Sequence, residues 1–242
     1  MKVPLLVLAF LLGVISWALA APIVVNNASF ERPAQDPGGW LNELTDPEPN
    51  PEAGGSDWLG QNGSSDGNTF IEYINGFNSE GNQHLGMQGN YYVFQNTGVP
   101  WKADTGYTLT VGVGNRGENP GALTIIGLTA SAEEPGPDNT LPFANANDYL
   151  EDALYLSGAG MTIDSGANPS LSFTDYTVSF VTGAIAPTGN VVIFLGDEGT
   201  TQRSHFDNIR LEVTEGSPAL PMPVAHFPLD TDGHSAEVGG FT

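Results

Sequence analysis

The sequence has no cysteine, which excludes a disulfide framework, a thiol nucleophile and thiolate metal ligands. It is also poor in cations: six Lys+Arg stand against 28 Asp+Glu, a formal net charge of −22. A surface of that sign repels nucleic acid and anionic lipid, so no nucleic-acid partner is expected. After residue 20 no run is apolar enough to cross a bilayer as a helix. The H-E-x-x-H, G-x-S-x-G and phosphate-loop patterns are missing. The four histidines, His84, His205, His226 and His234, are too dispersed for a zinc signature. A glycosidase would need only two well-placed carboxylates, but nothing selects a pair among 28 acids. These absences lead to the expectation of a protein that is not an enzyme.

What is present begins with MKVPLLVLAFLLGVISWALA, one Lys followed by a long apolar run and a small-residue Ala18-Leu19-Ala20 end. This is the layout of a secretory signal peptide over residues 1–20, with an uncleaved anchor as the alternative. The expected location is secreted or cell-surface, with no membrane insertion after cleavage. The 31 Gly and 18 Pro together with 40% hydrophobic residues point to many short strands separated by turns.

Such strands are legible at 23–31, 69–74, 90–95, 122–130, 173–183 and 190–196. The clearest is YTLTVGVGN, where Tyr107, Leu109, Val111 and Val113 face one way and Thr108, Thr110, Gly112 and Gly114 the other. Glycines on the second face permit close approach by another backbone or a ligand. Only residues 145–156 have helix-like spacing. Segments 32–57 and 131–144 read as long loops. GSPALPMP, residues 216–223, reads as a semi-rigid linker, and residues 224–242 are too few to bury a core of their own. They read as a docking tail or the start of a truncated second domain.

Both ends of the domain at 21–215 carry a break in strand phase. In SHFDNIRLEV, Ile209, Leu211 and Val213 share one parity and Phe206 has the other, with Asp207 and Asn208 between them. In IVVNNASFE, Ile23 and Val25 are out of phase with Phe30, and Glu31 follows directly. The first and last strands of a sandwich often lie side by side, which would bring Glu31 near Asp207. Two such acids suit a cation between them, and hard oxygen donors suit Ca²⁺. The alternative is that Asp207 and Asn208 only shape a turn and Glu31 is solvated.

The stretches Asn27 to Glu31, Tyr107 to Arg116 and Phe206 to Leu211 resemble secreted bacterial jelly-roll domains. These are similar to carbohydrate-binding modules of the galactose-binding-like type, which recur in PEP-CTERM-associated exported proteins. The resemblance implies an all-β jelly-roll sandwich of two antiparallel sheets, with Glu31 and Asp207 as ligands of a structural Ca²⁺. The segment 225–240 resembles the opening of a laminin-G-like, concanavalin-type domain.

Sugar binding needs flat rings to stack on pyranose faces, with amides and carboxylates at the rim. Trp40 and Trp58 lie in or beside the long loop, and Tyr73 and Trp101 on or just after strands, so these four are the candidate ligand-binding residues. For each ring, core packing is the competing reading. His84 is read as a hydrogen-bonded structural histidine, with ligand contact as the alternative. The expected role is thus a non-catalytic extracellular binding module for polysaccharide or another extracellular matrix polymer. The alternative is a structural or adhesive cell-surface scaffold without a sugar site.

Overall fold

The computed structural model describes residues 20–32, 34–41, 58–60, 69–117, 121–130, 145–151, 155–199 and 202–216. The expected signal peptide (save Ala20), the expected linker beyond Gly216, the segment read as laminin-G-like, the loop at 131–144 and residues 42–57 of the loop at 32–57 lie outside them. The chain forms a jelly-roll sandwich of two antiparallel sheets. The first sheet contains β1 (Ala21–Ile23), β2 (Trp40–Leu41), β4 (Thr69–Glu72), β5 (His84–Met87), β7 (Thr105–Asn115), β10 (Ser172–Val181) and β12 (Ser204–Glu215). Its order is β10-β7-β12-β5-β4-β2, with β1 paired to the far half of β12. The second sheet runs β3 (Leu59–Gly60), β6 (Tyr92–Pro100), β11 (Asn190–Asp197), β8 (Leu123–Ala130) and β9 (Tyr155–Asp164).

The core lies between the sheets and follows from alternation along each strand. Tyr107, Leu109, Val111 and Val113 of β7 enter it, as do Ile71 and Leu85 of the first sheet and Val191, Ile193 and Leu195 of the second. Each such side chain, fully buried, contributes roughly 1.5–3 kcal/mol, which is how the fold stands without disulfides. The helix-like segment yields one turn, α1 (Asp148–Glu151). Among the described residues no helix is long and apolar enough to cross a membrane.

The phase break in SHFDNIRLEV is a β-bulge. From Asp207 to Arg210 β12 advances three residues while its partner β7 advances two, from Gly112 to Thr110. Asn208 takes up the extra residue at φ 51°. Phe206 and Ile209 therefore both reach the core, while His205 and Asp207 point to the outer face. The counterpart at the N-terminus is a turn and not a strand: β1 ends at Ile23, residues 26–29 turn, and Asn27 and Phe30 have φ 47° and 53°. Phe30 returns to the core, and the Ile209 N–H donates to Ala28 O at 3.0 Å, tying turn and bulge together.

Candidate functional site

The outer face of the first sheet carries the chemistry. With Ile71 and Leu85 turned to the core, alternation sends Phe70 and Glu72 of β4 and His84 and Gly86 of β5 to the other side. His205 of β12 joins them, because it pairs with Gly86 on one flank and Gly114 on the other. Three strands thus bring Glu72, His84 and His205 into one cluster, all buried.

Segment 73–83 folds back over this face. Gly114 has no space for a side chain, since a Cβ there would lie 2.8 Å from Phe173 and 2.9 Å from Phe77. The thin face of YTLTVGVGN therefore admits a covering segment of the same chain. Phe77 stands edge-on to both imidazoles, 5.0 Å from His84 and 5.1 Å from His205, and closes them off from water. Their four ring nitrogens and Glu72 Oε2 have no hydrogen-bond partner. An unsatisfied buried polar group costs about 1–3 kcal/mol, so the cluster is expensive as it stands.

Charges flank it. Arg203 donates to Glu72 Oε1 at 2.7 Å and lies over the Phe70 ring at 4.5 Å. His84 Nε2, His205 Nδ1 and Arg116 Nη1 stand 3.4, 3.9 and 3.8 Å from Oε2, ion-pair approaches without hydrogen-bond alignment. Burial alone would push the Glu72 carboxyl up, but His84, His205 and Arg116 outweigh it and hold the group ionised, at about 2. His205 is driven down to about 3, by burial first and then by neighbouring His84, so its ring is neutral near pH 7.

Glu72, Arg116 and Arg203 also line a cavity of about 550 Å³, with Pro37, Gly38, Gly39, Tyr73, Ile74 and Asn75. One wall is a tight turn: Gly39 N–H donates to Asp36 O at 2.7 Å, with Pro37 and a positive-φ Gly38 at its centre. Pro followed by such a Gly is the pattern of a type II turn. Pairing continues into β2 through Gly38 N–H to Tyr73 O and Tyr73 N–H to Gly39 O, both 3.0 Å. The volume falls within the roughly 300–1,000 Å³ of small-molecule sites.

The two expected calcium ligands meet beneath the same covering segment. Glu31 Oε1 accepts from the Asn82 and Gln83 N–H groups at 2.7 and 2.8 Å. Asp207 Oδ2 accepts from Ser79 and Glu80 N–H at 2.6 and 2.9 Å, and Oδ1 from Asn208 N–H at 2.7 Å. Burial pushes Asp207 up to about 7 against the pull of these donors, and repulsion from Glu31 adds to it. A cation beside both carboxylates would relieve that repulsion, and their hard oxygens fit Ca²⁺.

The four candidate aromatics do not form one surface. Trp58 and Trp101 are 1% and 5% exposed and belong to the core, so neither presents a ring face to a polymer. Trp58 packs on Phe30 at 5.3 Å and donates to Asn27 O, while Trp101 lies 4.5 Å from Tyr107. Trp40 pairs with Glu72 across β2 and β4, and its side chain is outside the described residues. Of the three whose side chains are described, Tyr73 lines the cavity. In place of the hydrogen bond expected of His84, its Nε2 faces Glu72 Oε2 at 3.4 Å without hydrogen-bond alignment. His84 and His205, 121 positions apart by their numbers, meet because β5 and β12 pair. Two histidines on outward positions of strands were the only sequence signal, and pairing order was needed to use it.

The structure is similar to an apo-form cyclase from Fischerella sp., with a TM-score of 0.58, 19% identity and coverage of 82% of this chain and 98% of that one. It is also similar to the Stig cyclase Fisc from Fischerella sp. TAU in complex with (3Z)-3-(1-methyl-2-pyrrolidinylidene)-3H-indole, with a TM-score of 0.53, 18% identity and 82% and 100% coverage. A more remote likeness is the CBM22-1 xylan-binding domain from Paenibacillus barcinonensis Xyn10C, with a TM-score of 0.40, 10% identity and 76% and 100% coverage. Likeness that distant says nothing of a sugar. No curated protein matches. Nothing among these matches supports the PEP-CTERM or laminin-G-like resemblance. The expectation of a non-enzyme is overturned by the match to a cyclase family. The HpiC1 cyclase model matches residues 21–212, and the chain belongs to the HpiC1-like family.

Proposed function

We propose that this protein is an exported cyclase that closes a ring on a small organic molecule held in the cavity over Glu72. The observation that carries the reading is a built polar floor, a buried ionised carboxylate between two guanidinium groups, in a cavity sized for a small molecule. Two of the six Lys+Arg of a chain carrying −22 line this one cavity. Arg116, whose side chain is 40% exposed, is placed to hold a carbonyl or anionic end of the substrate. Tyr73, Ile74 and Pro37 supply the apolar wall. The indole compound on the similar Stig cyclase makes indole-bearing molecules the first class to try. A structural Ca²⁺ at Glu31 and Asp207 belongs to the same proposal as a stabilising ion remote from the reacting atoms.

Ring closure is an isomerisation: one σ bond forms as one π bond is consumed, and the mass is unchanged. The test is incubation of the full chain with a panel of indole-bearing alkenes, with product separation by chromatography and mass detection. The expected result is a new isomer of unchanged mass, reduced at least about tenfold in rate by Arg116→Ala. No isomer from any member, together with retardation on polysaccharide gels, would return the protein to the polymer-binding role.

A further inference from the structure

We propose that Glu72, His84 and His205 form a binding site for one divalent first-row transition metal ion, with Zn²⁺ the nearest match. The three residues offer two imidazole nitrogens and one carboxylate oxygen that all lie within 4.8 Å of one another, the one such group of three among the described residues. In a tetrahedral site with bonds of about 2.1 Å, neighbouring donor atoms stand roughly 3.4 Å apart, so small side-chain rotations close the remaining gap. His84 Nε2 and Glu72 Oε2 are already at that spacing, 3.4 Å.

A second observation is independent of that geometry. His84 and His205 are fully buried, and every one of their ring nitrogens is without a hydrogen bond. Buried imidazoles ordinarily find a backbone carbonyl, a hydroxyl or a carboxylate. These face Glu72 Oε2, which also lacks a partner, while the other oxygen of that carboxylate is held by Arg203 at 2.7 Å. The division matches metal sites in which one carboxylate oxygen ligates and its mate is fixed by an outer hydrogen bond. Arg116 approaches Oε2 at 3.8 Å with a side chain 40% exposed, so it can swing into solvent as the ion enters.

Donor chemistry sets the class of ion. Imidazole suits Zn²⁺ and its first-row neighbours and not the hard, oxygen-seeking Ca²⁺ or Mg²⁺. Phe77 and Phe173 wall the histidines from the other side, at 5.0 and 5.6 Å from His84. Glu72 lines the 550 Å³ cavity, so an ion held here would face it and could take a water or carbonyl oxygen in its open position.

The test uses the full chain without tag histidines, freed of metal by a chelator and titrated with Co²⁺ and then Zn²⁺. The expected result is one equivalent of Co²⁺ with the visible bands of a nitrogen- and oxygen-ligated ion, displaced by Zn²⁺, and a higher Tm with Zn²⁺. Both His205→Leu and Glu72→Gln should weaken binding by at least about a hundredfold, the upper end of what outer-shell changes cost. Glu31→Gln should leave Zn²⁺ binding intact and remove any Tm rise with Ca²⁺. A cooperatively melting wild-type chain that shows no Co²⁺ bands and no Tm shift with Zn²⁺ overturns the proposal, and needs no variant to fold. Binding that survives both substitutions overturns it equally. Metal binding is read here without turnover, so its failure leaves the cyclase reading standing, and the converse holds.

Discussion

The outer faces of the two sheets are covered by the same device and filled with opposite chemistry. On the second sheet Gly127 leaves space for Tyr149 of α1, whose ring stacks on Phe194 at 4.0 Å and 9°. The hydroxyl of Tyr149 donates to Leu128 O at 2.9 Å, and Tyr92, Phe94, Ile125 and Val192 complete an apolar cluster. On the first sheet Gly114 leaves space for Phe77, but what Phe77 covers is a carboxylate and two imidazoles without partners. One face is a satellite core that stabilises. The other leaves buried polar groups without hydrogen-bond partners, the face on which the proposed function is placed.

The contrast can be broken from either side. Tyr149→Ala should cost the most, about 3–5 kcal/mol, because it empties a fully buried aromatic position. Denaturant unfolding would read it, and a loss below about 1 kcal/mol would mean that α1 does not seal the second sheet. His205→Leu should do much less in metal-free protein. An apolar side chain of similar size removes unsatisfied nitrogens, so the change should lie within about 1 kcal/mol or favour the folded state. A loss of several kcal/mol would show that His205 has a structural bond to lose.

The smallest expected effect concerns Asp197, which joins the sheets through Ser204 and, with it, Thr124. Burial raises its carboxyl above the ordinary 3.8, against hydrogen bonds from Ser204, Gly199 and Asn90. A folded-state pKa above the unfolded value means that the folded chain holds the proton more tightly. Its contribution is fully present below the unfolded pKa and is lost as pH rises through the folded one. Asp197→Asn should therefore remove a fall in stability that begins near pH 4 in the wild type. Melting curves at successive pH values would show it, and equal slopes in both proteins would assign the titration elsewhere.

Much of the fold was legible because strand alternation is local. The β7 pattern from Tyr107 to Val113 follows apolar alternation, β8, β10 and β11 also read as strands, and Gly112 and Gly114 of β7 announced a close approach. The segment IVVNNASFE misled, since its run of β-formers is broken by Asn26 and Asn27 into a three-residue strand and a turn. Trp58 and Trp101 misled in the same way: an aromatic near a loop can turn inward, and local composition does not say which. The adjacency of Glu31 and Asp207 was legible because each marks a phase break at a domain end.

By itself the sequence determined an all-β sandwich, an acidic surface, a chain without thiols and a bulge at Asp207-Asn208. Each of these depends on residue types and short-range periodicity, which any stretch of chain carries with it. Only the tertiary structure decided that Glu72, His84 and His205 meet. Their meeting depends on β5 pairing with β4 on one side and β12 on the other, contacts that join residues far apart in the chain. Strand order is set by how the whole sandwich buries its apolar faces, and no local window of sequence contains it.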